Sequence, residues 1–413
     1  MCLLTSKTLT TVGDDPPAET RLQRAGWYAA FGLIPFGSSL PGLLILLADC
    51  IRGLCNRSRD LYPRLTPPLA RWANRLMLAF LFSILLSSAF STMPVLSFAA
   101  DIGFFLIIIG LFRGAIDLGR LGPEHLCRHY LPLTVHAGAA ACVIGLIRFG
   151  VVRLILHDEK FRAVNLFTGC NAFGTTLILV GGLGLACLIW RGGRWKRLAP
   201  PFLGLVCFTL LWTGSRGAWL GFSGMLAALC LFRRKLLLIL LVVLMITGLF
   251  LLISPPLRER FLSLNQDGFR VSIWRSSLNL IRDNPILGVG TGVYPLVIKR
   301  YAVGVASKRE SISFAHNIFL EAWAEFGLVG LITFTAFLLT IFFLSFALAR
   351  TGNPLYQGIF AVLLGIVLHQ QFDGTILSFG FGGAFWILLG LVIGFYAYEF
   401  TKRSSQTPKN ETA

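Results

Sequence analysis

The chain has 413 residues, of which 55% are hydrophobic and 14% charged. A soluble domain carries about 25% charged residues, so soluble enzymes and disordered chains are excluded. Nine cysteines without a CxxC pair argue against a disulfide-stapled secreted domain. The 37 Lys and Arg against 19 Asp and Glu give a net charge of +18, which in a membrane protein reports topology before it reports nucleic acid.

The first 25 residues are polar, with Lys7, Arg21 and Arg24. The apolar run behind them has no convincing small-residue cleavage site, so no cleavable signal is expected. A spanning helix needs roughly 20 apolar residues. Apolar runs fall near 26–38, 39–52, 76–92, 94–112, 131–149, 166–190, 199–214, 217–232, 236–254, 317–349, 354–372 and 375–399. The first two are short and hold Pro35 and Pro41, which suits half-helices or one broken span. With the N-terminus in the cytoplasm, 23 of the 37 Lys and Arg fall in inner segments and 14 in outer ones, the bias that orients membrane proteins. The sequence predicts an all-α polytopic membrane protein of about twelve transmembrane helices with both termini cytoplasmic.

Its expected organisation is a tail (1–25), a bundle of about nine spans (26–254), a basic outer loop region (255–316), three last spans (317–399) and a second tail (400–413). The outer loop holds nine Lys and Arg against Glu259, Asp267, Asp283 and Glu310. Net positive charge on an outward face runs against the usual bias. Long loops are translocated regardless of charge, so a solvated loop and an electropositive cavity for an anionic lipid-linked substrate both stand as readings. Within it, residues 269–283 (FRVSIWRSSLNLIRD) read as an amphipathic helix along the membrane surface. Ile273, Trp274, Leu278 and Ile281 recur at helical spacing, and Asn284-Pro285 ends the run. Arg275 and Arg282 share a face, and Arg270 lies a turn before Trp274. The following GVGTGVYP (288–295) lacks the strand and helix of a nucleotide loop and reads as a turn.

Six histidines need sorting. His125 and His129 are four apart, as metal ligands on a helix face are, but no third ligand is obvious and interfacial histidines are the favoured reading. His136 and His369 fall within spans, where packed polar residues are expected. His157 lies in a short outer loop beside Asp158 and Glu159. His316 closes the basic loop and opens AHNIFLEAWAEFG, where an imidazole is suited to proton transfer near neutral pH. A plain helix cap made by His316-Asn317 competes with that reading. Arg216, in WTGSRGAWLG, stands at a tight outer connection, and arginine near hydrocarbon faces a cavity, a partner or the interface. Its planar fork suits bidentate phosphate binding. Asp101, Glu321, Glu325 and Asp373 are the few acids expected to be buried, and arginines are their expected partners.

The ordered set GSRGAWLG (214–221), Arg270 with Trp274, NPILGVGTGVYP (284–295) and AHNIFLEAWAEFGLVG (315–330) resembles the O-antigen ligase/polymerase superfamily. The resemblance covers about 205–330 in motifs and most of the chain in span layout. It implies an inverting, metal-independent glycosyltransferase of the bacterial inner membrane, with its active site facing the periplasm. The donor would be a glycan on undecaprenyl diphosphate and the acceptor a sugar hydroxyl of lipid A–core. Arg216, Arg270 and His316 match the family's functional arginines and histidine, with His316 as general base. Arg275, Arg282, Trp274 and Asn317 are the expected further substrate contacts. No cofactor and no metal are expected, and no nucleic acid partner. A polymerase or a protein O-oligosaccharyltransferase would share the donor chemistry, and a secondary transporter is the alternative from another class. Polar residues gathered at the outer edge and the lack of a convincing repeat disfavour transport.

Overall fold

The structure is a computed structural model describing residues 19–36, 40–55, 67–157, 161–166, 168–253, 258, 265–377 and 382–406. Among these residues it is helical, without a strand, as a chain in lipid requires when each peptide group must find its partner within its own segment. The helices in chain order are α1 (Arg21–Leu33), α2 (Leu40–Cys55), α3 (Pro68–Ala89) and α4 (Pro94–Ile107), which runs through a π segment into α5 (Gly114–Arg120). Then follow α6 (Pro123–His129), α7 (Leu131–Leu154), α8 (Cys170–Arg191), α9 (Gly193–Arg197), α10 (Ala199–Thr213), α11 (Arg216–Phe232) and α12 (Leu237–Ile253). The last five are α13 (Asn265–Asp283), α14 (Tyr294–Val297), α15 (Ile318–Ala349), α16 (Pro354–His369) and α17 (Gly383–Gln406).

Prolines stand in the first turn of α3, α4, α6, α7, α10 and α16, where the missing N–H has no intrahelical partner to lose. Thr20 and Gln23 close a reciprocal capping box on α1, and Asn353 caps α16 through the Leu355 N–H.

Six helices among the described residues are long and apolar enough to cross a membrane: Pro68–Ala89, Pro94–Arg120, Leu131–Leu154, Cys170–Arg191, Ile318–Ala349 and Gly383–Ser405. Arg216–Phe232 and Pro354–His369 are apolar but shorter. The chain is therefore a multi-pass membrane bundle, and six of its expected spans have, among the described residues, the length and composition of a crossing helix. The other expected spans differ in helix length. The runs expected at 199–214, 217–232, 236–254 and 354–372 form helices of 15, 17, 17 and 16 residues. At 1.5 Å per residue these rise about 22–26 Å, short of a hydrocarbon core of about 30 Å. The runs at 26–38 and 39–52 are two short helices packed on each other, with Gly42 against the backbone of Ala30.

Close approach organises the centre. A Cβ on Gly221 would stand 2.5 Å from the Gly365 carbonyl oxygen, and one on Gly365 would stand 2.7 Å from that of Gly221. α11 and α16 thus meet backbone to backbone, as small residues allow in membranes. Buried aromatics fill a second zone: the Phe80 ring lies 5.5 Å from Phe326 edge-on, and Phe104 lies 5.4 Å from Trp386. Large apolar side chains such as Phe82, Ile102 and Leu252 face outward, the pattern expected of a surface bathed in lipid.

α15 is broken one third of the way along, at Gly327 (φ 69°, ψ −173°). A break leaves peptide groups without helical partners, and the segment 285–290 supplies them. Val289 N–H donates to Ala324 C=O and Gly290 N–H to Glu325 C=O, both at 2.9 Å. In return Leu328 N–H donates to Pro285 C=O at 2.9 Å and Val329 N–H to Ile286 C=O at 3.4 Å. The Ser87 hydroxyl of α3 adds a bond to Glu325 C=O at 2.6 Å. The glycine-rich segment is therefore the turn expected from sequence, and its partner is the broken helix. Around it, α13 packs Ile273, Leu280 and Ile281 against Val293, Tyr294 and Ile298 in a small core of its own. The helix expected over 269–283 is present as α13, ending where Asn284-Pro285 stops it. Ile273 and Ile281 face that core, Trp274 is half-buried, and Leu278 is exposed instead.

Two predictions follow from this end of the bundle. Gly327→Ala places a Cβ 2.1 Å from Ile286 C=O at a dihedral pair that only glycine adopts freely. Strain alone costs about 1–3 kcal/mol. The thermal midpoint in detergent should drop clearly, while Gly204→Ala, where nothing lies within 4 Å, should leave it unchanged or raise it. Tyr294 shares a 2.8 Å hydrogen bond with the buried Ser277 hydroxyl. Burial first, then the Glu321 carboxylate, push its phenol above the ordinary value. A phenol that resists ionising when folded stabilises fully below about pH 10 and loses that contribution as pH rises beyond it. Tyr294→Phe should cost about 0.5–1.5 kcal/mol near neutrality and should show a shallower fall in stability above about pH 10 than the parent.

Candidate active site

The polar residues singled out in the sequence converge where α15 begins. Asn317 caps that helix, its Oδ1 accepting from Phe319 N–H at 3.0 Å and Leu320 N–H at 3.1 Å. Its Nδ2 donates to Gln371 C=O at 3.4 Å and to Gln371 Oε1 at 3.3 Å. Ile318 N–H donates to Gln370 C=O at 3.0 Å. The start of α15 is thereby tied to the turn 370–374 that follows α16. Asn317 thus has a structural task as cap and tie.

That turn carries Asp373, buried, whose Oδ1 lies 3.8 Å from His316 Nδ1. This is an ion-pair distance, too long for a hydrogen bond, and His316 Nδ1 has no hydrogen-bond partner among the described residues. Gly374 N–H holds Asp373 Oδ1 at 3.1 Å. His316 is half-buried and occupies φ 54°, a left-handed conformation uncommon for a residue with a side chain. Glu321, one turn into α15 and buried, accepts the N–H of Ala315. The acids expected to pair with arginines are thus engaged differently: Glu321 holds backbone, Asp373 faces His316, and Glu325 Oε1 accepts Gly292 N–H at 3.0 Å. Asp101 is buried next to Thr291, and neither of its carboxylate oxygens is hydrogen bonded among the described residues.

α13 reaches the same turn. The Arg270 guanidinium lies 6.0 Å over the Phe372 ring, and the Trp274 ring lies 6.4 Å from it. Trp274 Nε1 is buried without a hydrogen-bond partner among the described residues. Arg270 and Asp373 both stand within electrostatic reach of His369, whose Nδ1 meets Thr175 Oγ1 at 2.9 Å. Arg275 and Arg282 lie on the exposed side of α13, with Arg282 3.5 Å from Asn279 Oδ1. The structure therefore brings Arg270 and Trp274 to the turn and leaves Arg275 and Arg282 outside it.

Arg216 is the first residue of α11, and Gly217 beside it packs against His369 and Phe372, a Cβ there coming within 3.1 Å of each. The N-terminus of α11, the positive end of its dipole, therefore lies at the same turn. One residue escaped sequence reasoning. Arg162 Nε donates to Thr213 C=O at 2.5 Å and its Nη2 lies 3.5 Å from Asn171 Oδ1, which sets it two residues before the Ser215 cap of α11. In the sequence it was one basic residue in an outer connection, with no motif around it. Phe372 was also missed, since a ring that meets α13 about a hundred residues before it in the chain has no local signature.

The remaining histidines are structural. His125 Nε2 lies 2.9 Å from Glu19 Oε2, and the His125 and His129 rings are 4.6 Å apart. Desolvation, then His125, hold the His129 imidazole below its ordinary value. His136 Nδ1 meets Pro132 C=O at 2.6 Å. His157 sits at φ 52°, and its expected neighbours Asp158 and Glu159 lie outside the described residues. Among the described residues no three His, Cys, Asp or Glu side chains gather as metal ligands.

Against known proteins, residues 201–335 match the family model described as O-Antigen ligase. A protein of Haemophilus influenzae (strain ATCC 51907 / DSM 11121 / KW20 / Rd), described as uncharacterized, is 26% identical over 172 residues. That match covers 36% of this chain and 43% of the relative, less than half of its length. The stretch that holds Arg216, Arg270 and His316 is therefore the part of the chain that is similar to O-antigen ligases, the family that the motifs resemble.

Proposed function

We propose that the chain is an O-antigen ligase, a metal-independent inverting glycosyltransferase. It moves a preassembled glycan from undecaprenyl diphosphate to a sugar hydroxyl of lipid A–core. The reaction takes place at the periplasmic face of the bacterial inner membrane, with both termini in the cytoplasm. The observation that supports this reading best is the meeting of three separate elements at the turn 370–374. α15 brings His316 to Asp373, α13 brings Arg270 to Phe372, and α11 brings Arg216 and its own N-terminus.

The chemistry asks for two things. The departing diphosphate carries its charge with low proton affinity, so it needs charge stabilisation more than a general acid. Arginine forks and a helix N-terminus are preorganised donors for such a group. Arg216 and Arg270 grip the diphosphate in this reading, and Trp274 with Phe372 forms the apolar wall behind Arg270. Arg275 and Arg282, exposed on α13, meet phosphate outside the turn.

The acceptor hydroxyl must lose its proton as its oxygen attacks the anomeric carbon. His316 takes that proton, and Asp373 orients the imidazole and stabilises the imidazolium that forms. Direct displacement inverts the anomeric configuration. The positive charge comes from side chains, so the reaction as drawn has no step that calls on a metal or a cofactor.

Incubating purified protein with a lipid-diphosphate glycan and lipid A–core, with chelator throughout, should give lipid A–core whose mass is raised by the donor glycan. A ladder of lengthened lipid-diphosphate glycan instead would assign the chain to the polymerases, and glycan on added protein would assign it to the protein transferases. His316→Ala should lower kcat on the order of a hundredfold or more with donor KM little changed. A rate near that of the parent would remove the base assignment. Arg216→Ala and Arg270→Ala should each cost tenfold or more in kcat/KM, from lost charge-assisted bonds of about 1.5–3 kcal/mol. Unchanged donor binding and turnover in both would end the clamp.

A further inference from the structure

Glu321 carries no charge partner of the kind its burial would lead one to expect, and its carboxylate is spent on backbone. Its Oε2 takes the N–H of Ala315, the residue before His316. The same oxygen borders Gly374: a Cβ at that position would lie 3.2 Å from Glu321 Oε2, 3.3 Å from Phe314 Cβ and 3.6 Å from the His316 nitrogen. One buried carboxylate therefore sits between the backbone that presents His316 and the backbone that presents Asp373. His316 itself stands at φ 54°, a conformation that persists in a residue with a side chain only when its surroundings over-determine it.

We infer that Glu321 is the positioning residue of the site, locking the left-handed backbone of His316 so that its imidazole faces Asp373. The inference rests on His316 as the base of the proposed reaction. The lock works by geometry. α15 fixes Glu321 one turn below its cap, Asn317 ties that cap to Gln371, and Glu321 reaches back past the cap to Ala315. Without the carboxylate the chain at 314–316 keeps its cap and loses the bond that sets the direction of the residue between. Glu321 need not touch substrate, so its removal should act on turnover and leave donor binding alone.

The test compares three substitutions. Glu321→Gln keeps an acceptor oxygen of the same reach. Glu321→Asp keeps the carboxyl group and draws its oxygens back by one methylene. Glu321→Ala removes it. The expected result is a loss in kcat on the order of tenfold to a hundredfold for Ala and Asp, with donor KM unchanged, and a rate close to that of the parent for Gln. In protein labelled with ¹⁵N-histidine, the His316 ring signal, identified by its absence in His316→Ala, should move in the Ala and Asp variants and stay in place in Gln. If the Ala variant does not fold, the Asp and Gln pair carries the comparison alone. Parent-like kcat and an unmoved ring signal in Asp would overturn the lock, as would a Gln variant as slow as Asp. The ring signal reads the lock without any transfer reaction, so a failure of the base assignment, seen as an active His316→Ala, is told apart from a failure of the lock.

Discussion

Within an apolar bundle each peptide N–H and C=O must be paired, because no water is at hand to take its place. α15 departs from a regular helix at Gly327, and the segment 285–290 meets the debt of partners that the break creates. Four backbone hydrogen bonds across that seam make the segment 285–290 a continuation of the helix by other means. α13, Tyr294 and the small core around them are positioned by it. Without the break, α15 would run straight on and no carbonyls would be left for Val289 and Gly290. A glycine here is a requirement of geometry, since the carbonyl of Ile286 occupies the space where any side chain would begin.

The second organising feature is the turn 370–374, which belongs to no helix and is contacted by α8, α11, α13 and α15. Its peptide groups and side chains are held from all sides: Ile318 N–H on Gln370, Asn317 on Gln371, Thr175 on His369 and Gln370. Such a turn is held in place by hydrogen bonds although it lacks regular structure, which suits the site proposed above. Close packing of α11 on α16 through Gly221 and Gly365 sets the height at which Arg216 meets this turn. Packing deep in the bundle therefore fixes the chemistry at its end.

Much of this was legible in the sequence because the signals were local. A helix over 269–283 with its Asn-Pro stop, a glycine-rich turn after it, and His316 followed by a capping Asn317 were all read from spacing and residue type, and the structure shows each. The count of spans was less legible. The apolar runs at 199–214 and 217–232 form helices with nearly those bounds, ending at Gly214 and Arg233, but helices of 15 to 17 residues are shorter than the six long ones. The partners of the buried acids were not legible at all. Arginine was the natural guess for Glu321 and Glu325, yet both hold backbone N–H groups of segments far from them in the chain or across a cap. Asp373, Phe372 and Arg162 gained their places through contacts between residues tens to hundreds apart, for which a single sequence offers no period and no motif.

The order of synthesis gives the break at Gly327 a temporal meaning. Residues 285–290 leave the ribosome before α15 exists, so the partners of their N–H and C=O groups are made after them. The turn that faces His316 is made later still, after α16. Throughout insertion, then, the histidine, the two arginines and the carboxylates belong to an assembly that lacks its keystone. The cluster around the turn is complete only when the growing chain has passed residue 374, and a nascent chain shorter than that holds Arg216, Arg270 and His316 without the carboxylate that faces the imidazole.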